Sequence, residues 1–378
     1  MSDDKPPAKP ALHRSKSSMG AAVALGAAGL AAAWRMAWRA ARRAATGVIC
    51  IWRGLDARRK RILTGALAIV AALLTVVSWR DVPQHWWEAR QGRRPLLAAK
   101  NWHYNLSSIE VDRLVRQPAG LLVIDFARDD GSIPLTKDEV ARIKAGADGK
   151  PRLVVSYISI GEGESYRFYW NRAWDTEAPP WHVAENCAWP RNHMVRFWHD
   201  GWKDIIFRGQ KSYLGHIIEA GFDGVYLDRI DVYGNLEMER PGARGDMVQF
   251  IREMAETARK LKPGFLVIAQ NAESLLADRG YRNLIDGLGK EDLLYGAHGT
   301  DKRNTPHEIA ANARLIRKLQ WDYKPVFAVE YLTRPSLIEE ARRELTGLDL
   351  VPTFAHRTLD GRDPLQPRAP KSFDYGTA

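Results

Sequence analysis

Several short apolar runs in this chain end in carboxylates, amides or phenols. Gly224-Val-Tyr-Leu-Asp228 is followed by Arg-Ile-Asp231, giving two carboxylates. Phe265-Leu-Val-Ile-Ala-Gln-Asn271 ends in amides, with Glu273 close behind. Leu284-Ile-Asp-Gly-Leu-Gly-Lys-Glu291-Asp292 ends in carboxylates again. Leu121-Leu-Val-Ile-Asp125 and Val326-Phe-Ala-Val-Glu330-Tyr331 do likewise, and the run through Tyr157 and Ser159 leads to Glu162. A single Asp after a strand is ordinarily a turn or cap residue. Six such ends together imply a carboxylate-lined pocket. Two carboxyl groups facing one pocket suit cleavage of a glycosidic bond: one, ionised, attacks the sugar or activates water, and the other, protonated, is the acid.

A pocket of this kind needs a scaffold that brings strand ends together. The strong apolar runs are Leu121–Phe126, Leu153–Ile158, Gly224–Leu227, Phe265–Ala269, Val326–Val329 and Leu350–Ala355. Trp102–Leu106, Val195–Trp198 and Leu284–Gly289 are weaker candidates. The strong runs are short and continuously apolar, as parallel strands buried on both faces are. Helix signals lie between them. Thr136-Lys-Asp-Glu139, Thr305-Pro-His-Glu308 and Ser336-Leu-Ile-Glu339 each match a capping box. Asp246–Leu261 sets Phe250, Ile251, Met254, Ala258 and Leu261 on one face. Strand–helix alternation from Asn101 to Arg357 predicts an α/β fold, a (β/α)₈ TIM barrel of the usual size of roughly 250 residues. Nine strand candidates compete for eight places, and an open doubly wound sheet is the other architecture the pattern allows.

Aromatic residues suit a sugar ligand. Trp170, Trp174, Trp181, Trp189, Trp198 and Trp202 lie close together in sequence, preceded by Tyr166, Phe168 and Tyr169. Flat rings cover the apolar faces of sugars, although some of these residues are expected to be packing. Other chemistries lack their signatures. The sequence has no H-E-x-x-H, no Cys pair at zinc spacing, no P-loop and no G-x-S-x-G. No metal and no organic cofactor is expected.

The net charge of +11 is unevenly placed. Residues 1–100 carry 18 Lys/Arg against 5 Asp/Glu, and the remainder carries 38 against 40. The nearly neutral C-terminal part excludes a nucleic-acid partner. The basic N-terminal part is expected to meet a membrane. Ile62–Trp79 is eighteen residues without a charge, preceded by Arg58-Arg-Lys-Arg61 and followed by Trp86 and Trp87. It predicts a single transmembrane anchor, N-terminus in the cytoplasm, without a cleavage site. In a bacterium the domain would then face the periplasm from the inner membrane. Residues 1–61 are expected to be a basic, partly disordered cytoplasmic segment with an amphipathic helix over Trp34–Ala45. Residues 80–99 would be a linker and 100–370 the barrel. Cys50 and Cys187 would lie on opposite sides of the membrane. Nothing in the sequence fixes an oligomeric state.

The strand-end residues resemble glycoside hydrolase family 114, the endo-α-1,4-polygalactosaminidase family. The matching pieces are Trp102-His-Tyr104-Asn-Leu106, Ser156-Tyr-Ile-Ser159 with Gly161, Gly221-Phe-Asp-Gly-Val-Tyr-Leu-Asp228 with Asp231, Asn271-Ala-Glu273, Lys290-Glu-Asp292 and Val329-Glu-Tyr331. They span residues 100–357. The resemblance implies a TIM barrel, Asp228 as catalytic Asp, Glu291 as catalytic Glu, and a galactosamine polymer as substrate. Trp102, Tyr104, Asp125, Tyr157, Ser159, Glu162, Asp231, Asn271, Glu330 and Tyr331 are then the expected substrate contacts. Glu273 or Glu162 is the fallback acid and Asp231 the fallback nucleophile. Two other functions fit the same residues: a non-catalytic polysaccharide-binding barrel in polymer assembly or export, and an envelope scaffold.

Overall fold

The computed structural model describes residue 56 and residues 95–362, apart from 129, 130, 151 and 210. The segments expected at 1–61 and 62–79, most of the linker, and Cys50 lie outside the described residues, except for residue 56. Among the described residues no helix is long and apolar enough to cross a membrane.

Eight parallel strands run in sequential order: β1 (Trp102–Asn105), β2 (Leu121–Ile124), β3 (Leu153–Ser159), β4 (Gly224–Asp228), β5 (Leu266–Gln270), β6 (Gly287–Glu291), β7 (Val326–Glu330) and β8 (Val351–Phe354). Seven helices alternate with them: α1 (Val111–Arg116), α2 (Lys137–Ala145), α3 (Tyr213–Glu219), α4 (Ala243–Leu261), α5 (Arg279–Leu284), α6 (Pro306–Trp321) and α7 (Pro335–Gly347). Sequential order leaves no switch point, so the sheet is a nearly closed TIM barrel and not an open doubly wound fold. Its seam between β8 and β1 carries no ladder among the described residues. It is bridged instead. The Trp102 indole N–H donates to the Val351 carbonyl at 3.0 Å, and the backbone N–H groups of Leu106 and Ser107 donate to Leu359.

The alternation along each strand separates two cores. Trp102, Leu121, Val123, Val155, Tyr226, Leu266, Ile268, Phe327 and Val329 fill the barrel interior. Their neighbours Leu122, Val154, Val225, Val267, Leu288 and Ala328 pack outward against the helices. Continuously apolar strands are the result of burial on both sides. Residues 95–98, within the expected linker, form a helical turn. Its Leu96 is fully buried in the interior cluster and closes the floor of the barrel.

Three local expectations need correction. Val195–Trp198 is the surplus candidate: only Val195 is in a strand, Asn192–Val195. That strand pairs antiparallel with Glu162–Glu164 and His182–Glu185 in a small sheet inserted after β3. Thr136 and Thr305 cap α2 and α6 with both bonds of the capping box, but Ser336 lies inside α7, which starts at Pro335 after Arg334. Proline at the helix start takes the place the serine signal suggested. Leu261 is 61% exposed at the last turn of α4, beyond the buried stripe of Phe250, Ile251, Met254 and Ala258.

Candidate active site

The ends of β4, β5 and β6 share a device. Each is followed at once by a non-glycine residue in the left-handed region: Arg229 at φ 58°, Asn271 at φ 50° and Asp292 at φ 51°. Such backbone costs about 1–3 kcal/mol per residue and persists where neighbours hold it. The Arg229 N–H donates to Asp228 Oδ1 at 2.7 Å. The Asn271 N–H donates to the Gly289 carbonyl at 2.8 Å, and the Asp292 N–H to the Val329 carbonyl at 3.1 Å. Each strand is thereby stopped with Asp228, Gln270 or Glu291 as its last residue.

Both carboxylates are oriented by fixed donors. Tyr157 donates its hydroxyl to Asp228 Oδ2 at 2.7 Å. The Tyr331 hydroxyl donates to Glu291 Oε1, and Asn271 Nδ2 donates to Oε2 at 3.2 Å. Asn271 cannot flip, because its Oδ1 accepts from the Glu291 N–H at 3.0 Å and from Lys290 Nζ at 3.3 Å. Tyr104 donates to Gln270 Oε1 at 3.3 Å, which leaves the Gln270 amide N–H for Glu291. Burial, reinforced by the negative charge of Glu291, pushes the Asp228 carboxyl up to about 7. Burial also raises Glu291, against the opposing pull of the Tyr331, Gln270 and Asn271 donors. The two carboxyls therefore titrate as a pair that keeps a proton far above the usual carboxylate range.

Asp228 and Glu291 line one cavity of about 300 Å³ at the C-terminal mouth of the barrel. This is the face on which TIM barrels carry their chemistry.

The chain matches the model of glycoside-hydrolase family GH114 over residues 80–367. It belongs to glycoside-hydrolase family GH114. An uncharacterized protein of Deinococcus radiodurans is 35% identical over 71% of this chain and 84% of its own length. The uncharacterized protein MJ1477 of Methanocaldococcus jannaschii is 32% identical over 68% of this chain and 72% of its own. Among solved structures, the glycoside hydrolase domain of PelA from Pseudomonas aeruginosa superposes with a TM-score of 0.55 at 16% identity, covering 69% of this chain and 96% of that domain. That likeness is one of fold.

In this GH114 barrel the expected site residues divide. Tyr104, Asp125, Tyr157, Glu162, Asp231, Asn271 and Tyr331 line the cavity with Asp228 and Glu291. Trp102, Ser159 and Glu330 do not. Trp102 sits one layer lower, stacked near Tyr104 at 5.6 Å. Glu330 faces outward, because Tyr331 beside it faces in. The Glu330 carboxylate accepts the backbone N–H groups of Leu294 at 2.8 Å and Tyr295 at 3.2 Å. Ser159 is buried and its Oγ has no hydrogen-bond partner. Asp125 reaches the cavity already committed, receiving two bonds from Arg167 at 2.6 and 2.8 Å. The fallback acid Glu273 is paired with Lys290 at 2.8 Å and lies away from the cavity. Asp231 is 57% exposed, with one long ion pair to Arg229 at 3.7 Å.

The aromatic run is mostly packing. Trp170 and Trp174 lie 5.4 Å apart, Trp174 and Trp181 5.0 Å, and Trp181 and Trp202 5.0 Å. Of the six tryptophans, Trp189 alone lines the cavity. The residues that sequence reasoning missed are largely basic or on the insertion: Glu164, Arg167, Arg191, Asn192, Arg229, Gln270 and Arg357. The repeated Glu162-Gly-Glu164, inserted between β3 and α3, was the available signal for a wall built outside the barrel. Gly161 marks where that wall begins. A Cβ there would lie 2.1 Å from the Arg229 carbonyl, so only glycine lets the two backbones meet.

Proposed function

We propose that this glycoside hydrolase cleaves an amino-sugar exopolysaccharide of galactosamine type, with Asp228 as nucleophile and Glu291 as acid/base. The observation that carries this reading is the placement of both carboxyls on one cavity, each held by its own phenol. Glu291 gives its proton to the glycosidic oxygen as an Asp228 oxygen bonds to the anomeric carbon. Water then displaces the sugar, with Glu291 taking the proton back. A free amine on the sugar is charged at neutral pH. Its approach favours the ionised form of Asp228, whose resting pKa burial has raised. The half-exposed Asp231 offers a further carboxylate to that ammonium. The apolar run 62–79 with its basic flank supports an anchored enzyme facing the periplasm.

The test is incubation of the full chain with deacetylated and acetylated galactosamine polymers, reading released reducing ends. The deacetylated polymer is expected to be cut, with loss of cutting in Asp228→Asn and Glu291→Gln. Binding of the polymer without cleavage would favour the non-catalytic barrel. Cutting of neither polymer would remove this substrate. Proton NMR of the first-formed anomer distinguishes retention from inversion. A reporter fused after Ala378 that is active in the periplasm, and inactive in the cytoplasm, supports the proposed topology.

A further inference from the structure

The hairpin tip between His182–Glu185 and Asn192–Val195 is tied down by hydrogen bonds and lines the cavity with Trp189, Arg191 and Asn192. Glu162 anchors it from below: Oε1 accepts from Asn186 Nδ2 at 2.9 Å and Oε2 from Asn192 Nδ2 at 3.3 Å. Glu162 Oε1 also pairs with Arg229 at 2.9 Å, tying the tip to the residue beside Asp228. Trp189 and Asn192 close the turn through their backbones, the Trp189 N–H to Asn186 and the Asn192 N–H to Trp189. Trp189 is 59% exposed on this fixed turn while lining the cavity. A large ring held in water at the mouth of a glycosidase is placed to stack on sugar.

Arg191 beside it is unusual among the lining arginines. Arg167 is committed to Asp125 and Glu164, Arg229 to Glu162, and Arg357 to Asp292. Among the described residues, the Arg191 guanidinium has no carboxylate within ion-pair distance and lies over the Tyr166 ring at 5.0 Å. Its backbone is held at φ 72°. The N–H donates to Glu185 at 2.6 Å, and the carbonyl accepts from Ser165 at 2.9 Å. A strained residue pinned on both sides, carrying an available fork of donors above an aromatic ring, is preorganised to take a planar anion.

We propose that Trp189 and Arg191 form a distal subsite for an acidic sugar: Trp189 carries the ring and Arg191 binds its carboxylate. This rests on the cavity being the substrate site of a glycoside hydrolase, and it adds a second requirement to the polymer. The chain bound across the mouth presents an amino sugar to the catalytic pair and a carboxylate-bearing residue to the rim.

Binding is measured by calorimetry on the full chain carrying Asp228→Asn, with short oligogalacturonides, neutral galacto-oligosaccharides and galactosamine oligomers as probes. Oligogalacturonides are expected to bind at least about tenfold tighter than neutral ones at low salt, the scale of one charge-assisted bond. The gap should shrink as salt rises. Arg191→Ala should remove that preference, Arg191→Lys should keep part of it, and Trp189→Ala should weaken all sugars together. Equal binding of acidic and neutral probes, or a preference that survives Arg191→Ala, overturns the subsite. Cutting of the galactosamine polymer by the unsubstituted chain is scored separately. Acidic binding without cutting would refute the earlier substrate and leave this subsite standing, and cutting without acidic preference would do the reverse.

Discussion

Two layers of the barrel interior lie a few ångströms apart on the same strands and differ in almost every respect. The lower layer is apolar and aromatic. Leu96, Trp102, Tyr226, Leu266 and Phe327 fill it, with Trp102 and Phe327 edge to face at 5.8 Å and Trp102 and Tyr226 stacked at 6.4 Å. The upper layer replaces these with Tyr104, Tyr157, Asp228, Gln270, Glu291 and Tyr331, joined by hydrogen bonds. Below, side chains are chosen for volume. Above, they hold two carboxyls whose ionised form burial disfavours. Arg229, Asn271 and Asp292, in the left-handed region, stop three strands at the upper edge. The contrast teaches that packing below supports an electrostatic cost above.

Substitutions at the two levels should separate cleanly. Asp228→Asn and Glu291→Gln are expected to lower turnover by about 10²–10⁴-fold while the far-UV spectrum and cooperative melting persist. Unfolding of either variant would show that the pair is structural. In the lower layer, Trp102→Ala should cost about 3–5 kcal/mol in chemical denaturation, because it opens the floor and removes the bond across the seam. A loss below about 1 kcal/mol would mean the seam closes without it.

Gly289 joins the layers. A Cβ at that position would lie 1.9 Å from the Tyr226 hydroxyl. Gly289→Ala should therefore destabilise by about 1–3 kcal/mol, the usual cost of overpacking. An unchanged melting temperature would show that the Tyr226 ring can move, and the lower layer would then be less rigid than its packing implies.

The pH dependence sharpens the comparison further. The folded pKa of Asp228 lies near 7, above the unfolded value of 3.8. The proton is thus held more tightly in the folded state, and its contribution is complete below the unfolded pKa and lost as pH rises to about 7. Asp228→Asn should accordingly gain melting temperature relative to the unsubstituted chain across that window, with the gap levelling off above it. The same pair predicts that kcat/KM falls on the alkaline side near pH 7, where its remaining proton leaves. A gap that narrows with rising pH would reverse the assignment. The smallest effect belongs to the rim: Trp189→Ala should change stability by less than about 0.5 kcal/mol, whereas buried Trp202 should behave like Trp102.

The sequence by itself determined the strand–helix alternation and the polar ends of its strands. Short apolar runs on a parallel barrel must be buried on both sides, and the polar residue that ends each run must sit at the mouth. That rule brought Asp228, Glu291 and Asn271 to the mouth among six polar ends without any contact being known, and the family resemblance singled out Asp228 and Glu291 among them. It also left errors of one residue or one layer. Glu330 and Tyr331 are adjacent in sequence and face opposite ways, and Trp102 is two residues below Tyr104. Only the tertiary structure decided which carboxylates are available. Asp125 is neutralised by Arg167, 42 residues away, and Glu273 by Lys290 on the neighbouring strand. The tryptophan run became packing because its rings close on one another, and Trp189 escaped because a hairpin carries it outward. Alternation is a local property of the chain, whereas the partner of a charge is set by where distant segments meet.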